Sequence, residues 1–126
     1  MKTLALTAAL LAATPALAVV ESSVNLSLGG SAEKRSVIYD CESHEPLTVT
    51  YLNAAPNFLA IIPITDDETG LTDDVVFVSV LTASGARYEA GSFVWWNKGT
   101  DATLHDEREG LDAAPLLECA ERIETP

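Results

Sequence analysis

The stretch ASGARYEAGSFVWWNKGTDATL, residues 83–104, contains two short turns on either side of an aromatic strand. Gly85 lies in the first turn and Gly99 in the second, and glycine permits the positive backbone φ angles that tight turns need. The residues between the turns alternate as expected of a half-buried strand. The sequence therefore predicts two exposed, neighbouring loops, one carrying Ser84 and the other carrying Lys98.

The remainder of the chain reads as short strands separated by turn residues. No helix of ordinary length competes with them, and closure would remove the exposed edges of an open sheet. The sequence predicts an all-β fold, a small closed antiparallel barrel of about eight strands, whose last strand pairs with an early one. The strand candidates are residues 24–28, which we expect to be loosely attached, 36–41, 47–53, 58–62, 75–81, 87–89, 93–96, 102–105 and 116–120.

Two cysteines, Cys41 and Cys119, stand near the two ends of the predicted barrel, 78 positions apart. In an exported chain such a pair is expected to form one disulfide. Closing a loop of this length stabilises the fold by up to about 4.5 kcal/mol in the chain-entropy model.

The first 18 residues resemble a signal peptide: Lys2, an apolar run over residues 4–13 and the small residues Ala16 and Ala18 around Leu17. The apolar run is too short to span a bilayer, and no cysteine follows the leader. We therefore expect a soluble periplasmic or secreted protein without a membrane span or lipid anchor. The expected division is a signal peptide (1–18), an N-terminal extension (19–35), one barrel domain (36–122) and a C-terminal tail (123–126).

The chain is acidic, with 19 Asp and Glu against seven Lys and Arg and a formal charge of −12. Because Lys2 is the only charged residue of the leader, its removal would leave a charge of −13. This charge argues against a nucleic-acid partner. It is compatible with attraction of a basic protein and equally with solubility alone.

Catalytic and metal-binding alternatives are weak. The acidic stretch 65–74 does not follow the EF-hand order, so we assign no metal, and we expect no cofactor. Ser84 lacks the glycines of a nucleophile elbow, and no oxyanion hole accompanies a serine–His105 pair, so we expect no catalytic residues and no enzyme. His44 near Cys41 does not make a zinc site.

The aromatic residues of the opening stretch are mainly core candidates. Tyr88, Phe93 and one of the two tryptophans are expected inside the barrel, since successive strand residues face opposite sides. The other of Trp95 and Trp96 either packs under a loop or anchors an interface. Arg87 is expected to be a surface charge or to pair with an acid.

The sequence SGARY, followed by an aromatic-Trp-x-Lys-Gly-x-x-Ala turn, resembles the bacterial C-type lysozyme inhibitor family. The similarity extends to Tyr39-Asp40-Cys41, to residues 47–50 and to Cys119. It implies an eight-stranded barrel and inhibition of a C-type lysozyme by insertion of the two loops into its cleft. The residues that this resemblance assigns to target contact are Ser84, Gly85, Ala86, Tyr88, Lys98 and Gly99. The alternatives are a barrel that binds a small ligand and an uncharacterised hydrolase.

Overall fold

The computed structural model describes residues 3, 5, 23–28, 30–110 and 112–123. Most of the predicted signal peptide and residues 124–126 lie outside the described residues. The described residues form eight strands: β1 (Glu33–Cys41), β2 (Leu47–Ala54), β3 (Asn57–Thr65), β4 (Thr72–Val80), β5 (Ala86–Ala90), β6 (Phe93–Lys98), β7 (Asp101–Asp106) and β8 (Leu117–Glu121). A 3-10 turn, Glu107–Glu109, follows β7.

The strands form a closed barrel in which each strand is antiparallel to the next. Closure comes from β8, which pairs with β1 through Tyr39 opposite Glu121 and Cys41 opposite Cys119. The two cysteines form the disulfide, with a Cα–Cα distance of 4.0 Å. The predicted all-β barrel and its disulfide are confirmed.

Side chains fill the interior of the barrel. Alternation along β2 turns Leu47, Val49 and Tyr51 inward, as the sequence predicts. The largest fully buried side chains are Trp95, Tyr39, Phe77, Ile62 and Val49. Tyr39 and Trp95 meet edge to face with ring centroids 5.2 Å apart, a favourable geometry for two aromatic quadrupoles. An eight-stranded barrel is just wide enough to be filled in this way.

Residues 24–28 do not form the first strand. Residues 23–28 have no regular structure, and Val24 and Leu26 are 80% and 63% exposed. Alternation over so short a segment does not supply a pairing partner, and β1 already pairs with β2 on one side and β8 on the other. The barrel therefore has no open edge at β1 for this segment to join.

The acidic loop is shorter than the expected 65–74. Strand β3 continues to Thr65 and β4 begins at Thr72. The hydroxyl oxygens of these two threonines lie 2.8 Å apart. Within the turn, the Asp66 carboxylate accepts hydrogen bonds from the backbone N–H groups of Glu68 and Thr69 at 2.8 and 3.2 Å. The ladder extends into the acidic residues because their side chains remain exposed to water.

Strand direction decides which loops share an end of the barrel. Because neighbouring strands are antiparallel, the β4–β5 loop (81–85) and the β6–β7 turn (99–100) lie at the same end. The acidic turn (66–71) lies at the opposite end. It is therefore remote from the Ser84 and Lys98 loops.

Candidate functional site

The two loops of the opening stretch lie side by side. Strands β5 and β6 pair directly, with Ala86 opposite Asn97 and Tyr88 opposite Trp95. The 81–85 loop enters β5 and the 99–100 turn leaves β6, so pairing of these strands brings the loops together. Ser84, Gly85, Lys98 and Gly99 are all exposed there.

Trp96 holds the Ser84 loop. Its indole N–H donates to the carbonyl oxygen of Ser84 at 2.9 Å, and the Thr82 hydroxyl donates to the same oxygen at 3.1 Å. A carbonyl oxygen has two lone pairs, so both donors can be satisfied together. The loop backbone is thus fixed from two directions while Ser84 itself stays exposed.

Gly85 and Gly99 both adopt positive φ, at 66° and 63°, but for different local reasons. A Cβ atom at Gly85 would collide with the carbonyl oxygen of Asn97 and lie 3.2 Å from Cγ of Lys98. A Cβ at Gly99 would meet nothing within 4 Å. Gly85 is therefore needed for close approach of the loops as well as for its backbone conformation.

Lys98 is the last residue of β6, and Gly99 and Thr100 form the turn beyond it. Its ammonium nitrogen lies 4.3 Å from the ring centroid of Trp96, a cation–π contact. Among the described residues, Lys98 makes no salt bridge. Its charge is therefore supported by an aromatic face rather than neutralised by a carboxylate.

Arg87, the other cation beside Trp96, is already paired. Its guanidinium lies 5.4 Å from the Trp96 ring centroid and within 2.8 Å of Glu89 and 2.7 Å of Glu107. The sequence left open whether Arg87 is a plain surface charge or pairs with an acid, and the structure shows that it pairs with Glu89 and Glu107. Lys98 remains as the uncompensated cation of this strand pair.

Tyr88 differs from the other residues assigned to target contact. It is only 8% exposed, and its ring centroid lies 5.6 Å from that of Tyr51 inside the barrel. Burial, followed by the neighbouring Tyr51, raises the pKa of the Tyr88 hydroxyl. Tyr88 therefore supports the base of the loops from within and offers little surface to a partner. Ala86 is half-buried beside it.

Asn97 anchors the second loop to the core, a role that sequence reasoning missed. Its side-chain N–H donates to the Tyr51 hydroxyl at 2.8 Å, across 46 residues of sequence. Both residues line a small cleft of about 290 Å³ at this end of the barrel, together with Gly85 and Gly99. Strand alternation could have placed Asn97 inward with Trp95, but it could not have identified Tyr51 as the partner.

The arrangement offers an exposed ammonium beside an exposed serine, above the buried Tyr88 and Trp95. Among the described residues, no group of three or more His, Cys, Asp and Glu side chains is placed to hold a metal ion. An exposed ammonium and an exposed hydroxyl can donate hydrogen bonds, and the ammonium can also pair with a negative charge.

Fold and loops together define a small disulfide-linked antiparallel barrel with a paired-loop site at one end. Residues 39–112 match the family model described as membrane-bound lysozyme-inhibitor of c-type lysozyme. A protein of that name from Pseudomonas aeruginosa is 42% identical over 77% of this chain and 74% of its own length. Another from Cupriavidus necator is 39% identical over 66% of this chain and 62% of its own length. The chain belongs to this family, as its resemblance indicates.

A solved structure shows the same fold. The crystal structure of Pseudomonas aeruginosa MliC in complex with hen egg white lysozyme is 38% identical, with a TM-score of 0.62. The match covers 82% of this chain and 100% of that one.

The expectation of a soluble periplasmic or secreted protein is wrong. The family and both relatives are described as membrane-bound, which indicates association with a membrane. The expectation considered only a spanning segment and a cysteine after the leader, whereas proteins also attach to membranes through interfacial segments or lipids. Within the described residues, no helix has the length and apolar character needed to cross a bilayer.

Proposed function

We propose that this chain inhibits a c-type lysozyme by reversible insertion of the Ser84 and Lys98 loops into the active-site cleft of the enzyme. The observation that carries the proposal is the exposed, uncompensated ammonium of Lys98 beside the Ser84 loop. Family membership and the similar structure solved with hen egg white lysozyme support it.

Charge pairing explains how the loops would act. Retaining glycosidases place two catalytic carboxyl groups about 5 Å apart. The Lys98 ammonium can lie between such groups and donate to both, while the Ser84 hydroxyl donates to one. Such contacts need no covalent step. They block the substrate and neutralise the carboxylates that catalysis requires.

The remaining loop residues are assigned supporting roles. Gly85 and Gly99 give the loops their backbone conformations, and Gly85 leaves room for Asn97. Ala86 and Tyr88 form the base on which the loops stand. In this proposal they shape the contact, whereas Ser84 and Lys98 supply its polar groups.

Electrostatic attraction would assist the encounter. The chain has a formal charge of −12, and lysozymes that are basic would be drawn to it at low ionic strength. The sign reverses locally at Lys98, where a cation meets the carboxylates of the cleft. Long-range attraction and short-range pairing therefore use opposite charges of the inhibitor.

The packed interior favours protein binding over the small-ligand alternative. Trp95, Phe77 and Ile62 are fully buried inside the barrel, where a carrier would hold its ligand. A ligand of ordinary size would have to displace close-packed side chains. The paired loops outside the barrel require no such rearrangement.

Lysis of a cell-wall suspension by hen egg white lysozyme tests the proposal directly. Increasing amounts of purified protein should slow lysis, and a soluble oligomer of N-acetylglucosamine should compete with the protein for the enzyme because both occupy the cleft. An amidase that lyses the same walls is the control and should be unaffected. Undiminished lysis at molar excess would refute inhibition. Inhibition without competition by the oligosaccharide would refute insertion.

A further inference from the structure

The Tyr51 hydroxyl takes part in three hydrogen bonds, two of them buried and one partly buried. It lies 2.9 Å from the indole nitrogen of Trp95, 2.8 Å from the side-chain nitrogen of Asn97 and 2.8 Å from the hydroxyl of Tyr39. Tyr51 itself is only 6% exposed. The bonds to Trp95 and Tyr39 are buried, and the bond to Asn97 is partly buried beside the cleft. Hydrogen bonds shielded from water in this way are costly to break.

The donor and acceptor roles in this network follow from valence. Indole and amide N–H groups only donate, so Trp95 and Asn97 use both lone pairs of the Tyr51 oxygen. The Tyr51 proton is then donated to Tyr39. Burial, and next the hydrogen bond with Tyr51, raise the pKa of the Tyr39 hydroxyl.

The side chain of Asn97 depends on Tyr51 for its orientation. Its amide oxygen is buried and has no hydrogen-bond partner among the described residues. The bond to Tyr51 is therefore the polar contact that directs the amide inward. Tyr51 lies on β2, which is not a neighbour of β6, so this bond crosses the barrel interior.

Asn97 transmits that restraint to Lys98, the next residue. Alternation turns Asn97 inward and Lys98 outward, so fixing one side chain sets the direction of the other. Lys98 ends its strand, and the exposed turn 99–100 follows. Strand ends fray readily unless a side chain holds them.

We propose that Tyr51 is a positioning residue, which holds Lys98 in its binding orientation through the hydrogen bond to Asn97. The inference rests on the proposed role of Lys98 at the lysozyme cleft. Without the Tyr51 hydroxyl, the end of β6 must be ordered when the partner binds, and ordering one side chain weakens affinity by about 3- to 10-fold.

A double-mutant cycle tests this inference, with the dissociation constant for hen egg white lysozyme as the readout. Tyr51→Phe should weaken binding by about 3- to 10-fold in the parent and by less than about 2-fold in the Lys98→Ala background. Equal losses in both backgrounds, or no loss in the parent, would overturn the positioning role. If Lys98→Ala itself binds like the parent, the proposed insertion fails and this inference fails with it.

Tyr39→Phe is the matched control, since it removes one hydroxyl from the same network without removing the bond to Asn97. It should lower the thermal midpoint and leave the dissociation constant within about 2-fold of the parent. A loss of affinity equal to that of Tyr51→Phe would show that general weakening of the core is responsible, and would overturn the inference.

Asn97→Ala keeps the test decisive if Tyr51→Phe does not fold. This change removes the donor of the same Asn97–Tyr51 hydrogen bond, at a half-buried position. It should weaken binding as Tyr51→Phe does, and the Tyr51→Phe/Asn97→Ala double variant, where it folds, should bind no worse than either single variant. Parent-like binding by folded Asn97→Ala would overturn the inference.

Discussion

Trp96 donates its indole N–H to the carbonyl oxygen of Ser84 at 2.9 Å, and thereby fixes the Ser84 loop to strand β6. The same indole ring lies under the Lys98 ammonium at 4.3 Å. One half-buried side chain thus contacts both loops of the candidate site. Of the two roles open to the second tryptophan from the sequence, packing under a loop is the one observed.

Trp96→Phe should loosen the Ser84 loop, because phenylalanine retains an aromatic ring and cannot donate a hydrogen bond. Amide hydrogen exchange in residues 81–85 should accelerate by about 5-fold, equivalent to one hydrogen bond worth about 1 kcal/mol. The turn 66–71 at the opposite end serves as an internal control. Equal acceleration in both segments would indicate global destabilisation instead.

Gly85→Ala should destabilise the fold more than Gly99→Ala. Both variants force alanine into a left-handed conformation, which costs about 1–2 kcal/mol. Only at Gly85 does the added Cβ collide with backbone, so a further loss of at least about 1 kcal/mol is expected there. Urea unfolding measures both, and equal losses would contradict the close packing of Gly85 against Asn97.

Lys98→Ala should weaken binding to hen egg white lysozyme by about 30- to 1000-fold, because it leaves desolvated carboxylates without a cation. Ser84→Ala should cost less, about 1 kcal/mol, and the two losses should not add because both groups bind one pocket. Lys34→Ala removes the same charge from an exposed position on β1 and is the matched control. Similar affinities for the two lysine variants would contradict the proposed contact.

Asp106 should contribute to acid sensitivity. Hydrogen bonds from the Arg108 side chain lower the pKa of its carboxyl to about 2, and the Arg108 backbone and Ser92 act in the same direction against burial. Its ordinary pKa is near 4. Its contribution to stability is therefore complete above about pH 4 and is lost as the pH falls towards 2.

Asp106→Asn measures that contribution. The difference in unfolding free energy between parent and variant should be large at pH 6 and should shrink as the pH falls from 4 to 2. Asp106 ends β7 at the end of the barrel away from the candidate site, so binding to lysozyme should not change. A difference that is independent of pH would contradict the pairing with Arg108.

Reduction of the Cys41–Cys119 disulfide should destabilise the barrel. The bond closes 78 residues of chain and ties β8 to β1, where the barrel closes. The loss should approach, without exceeding, about 4.5 kcal/mol, since residual structure in the denatured state reduces the entropic effect. Denaturant unfolding with and without reductant measures it, and identical midpoints would contradict this role.

Local patterns predicted most of the strands. The sequence identified the cores of β1 to β7, and for β3 and β4 the signal was a dense apolar run rather than alternation. The eighth strand was located within one residue at each end. The strand predicted at residues 24–28 is wrong, because these residues alternate but have no strand to pair with. The loop predicted at 65–74 is too long, because β3 and β4 pair further into this polar sequence.

The sequence patterns did not predict the localisation correctly. The leader and the absence of a following cysteine suggested a soluble product, and the family comparison corrected that expectation. A short sequence pattern reports one route to a membrane, whereas attachment can use several.

The sequence by itself determined which residues alternate, where glycines permit turns, and which two loops carry Ser84 and Lys98, because each of these depends on a few neighbouring residues. Only the tertiary structure decided that Trp96 faces Ser84, that Tyr51 holds Asn97 from across the barrel, and that the acidic turn lies at the far end. Those relationships depend on strand register and barrel closure. Closure brings together residues separated by 46 positions, and no local period encodes such a contact.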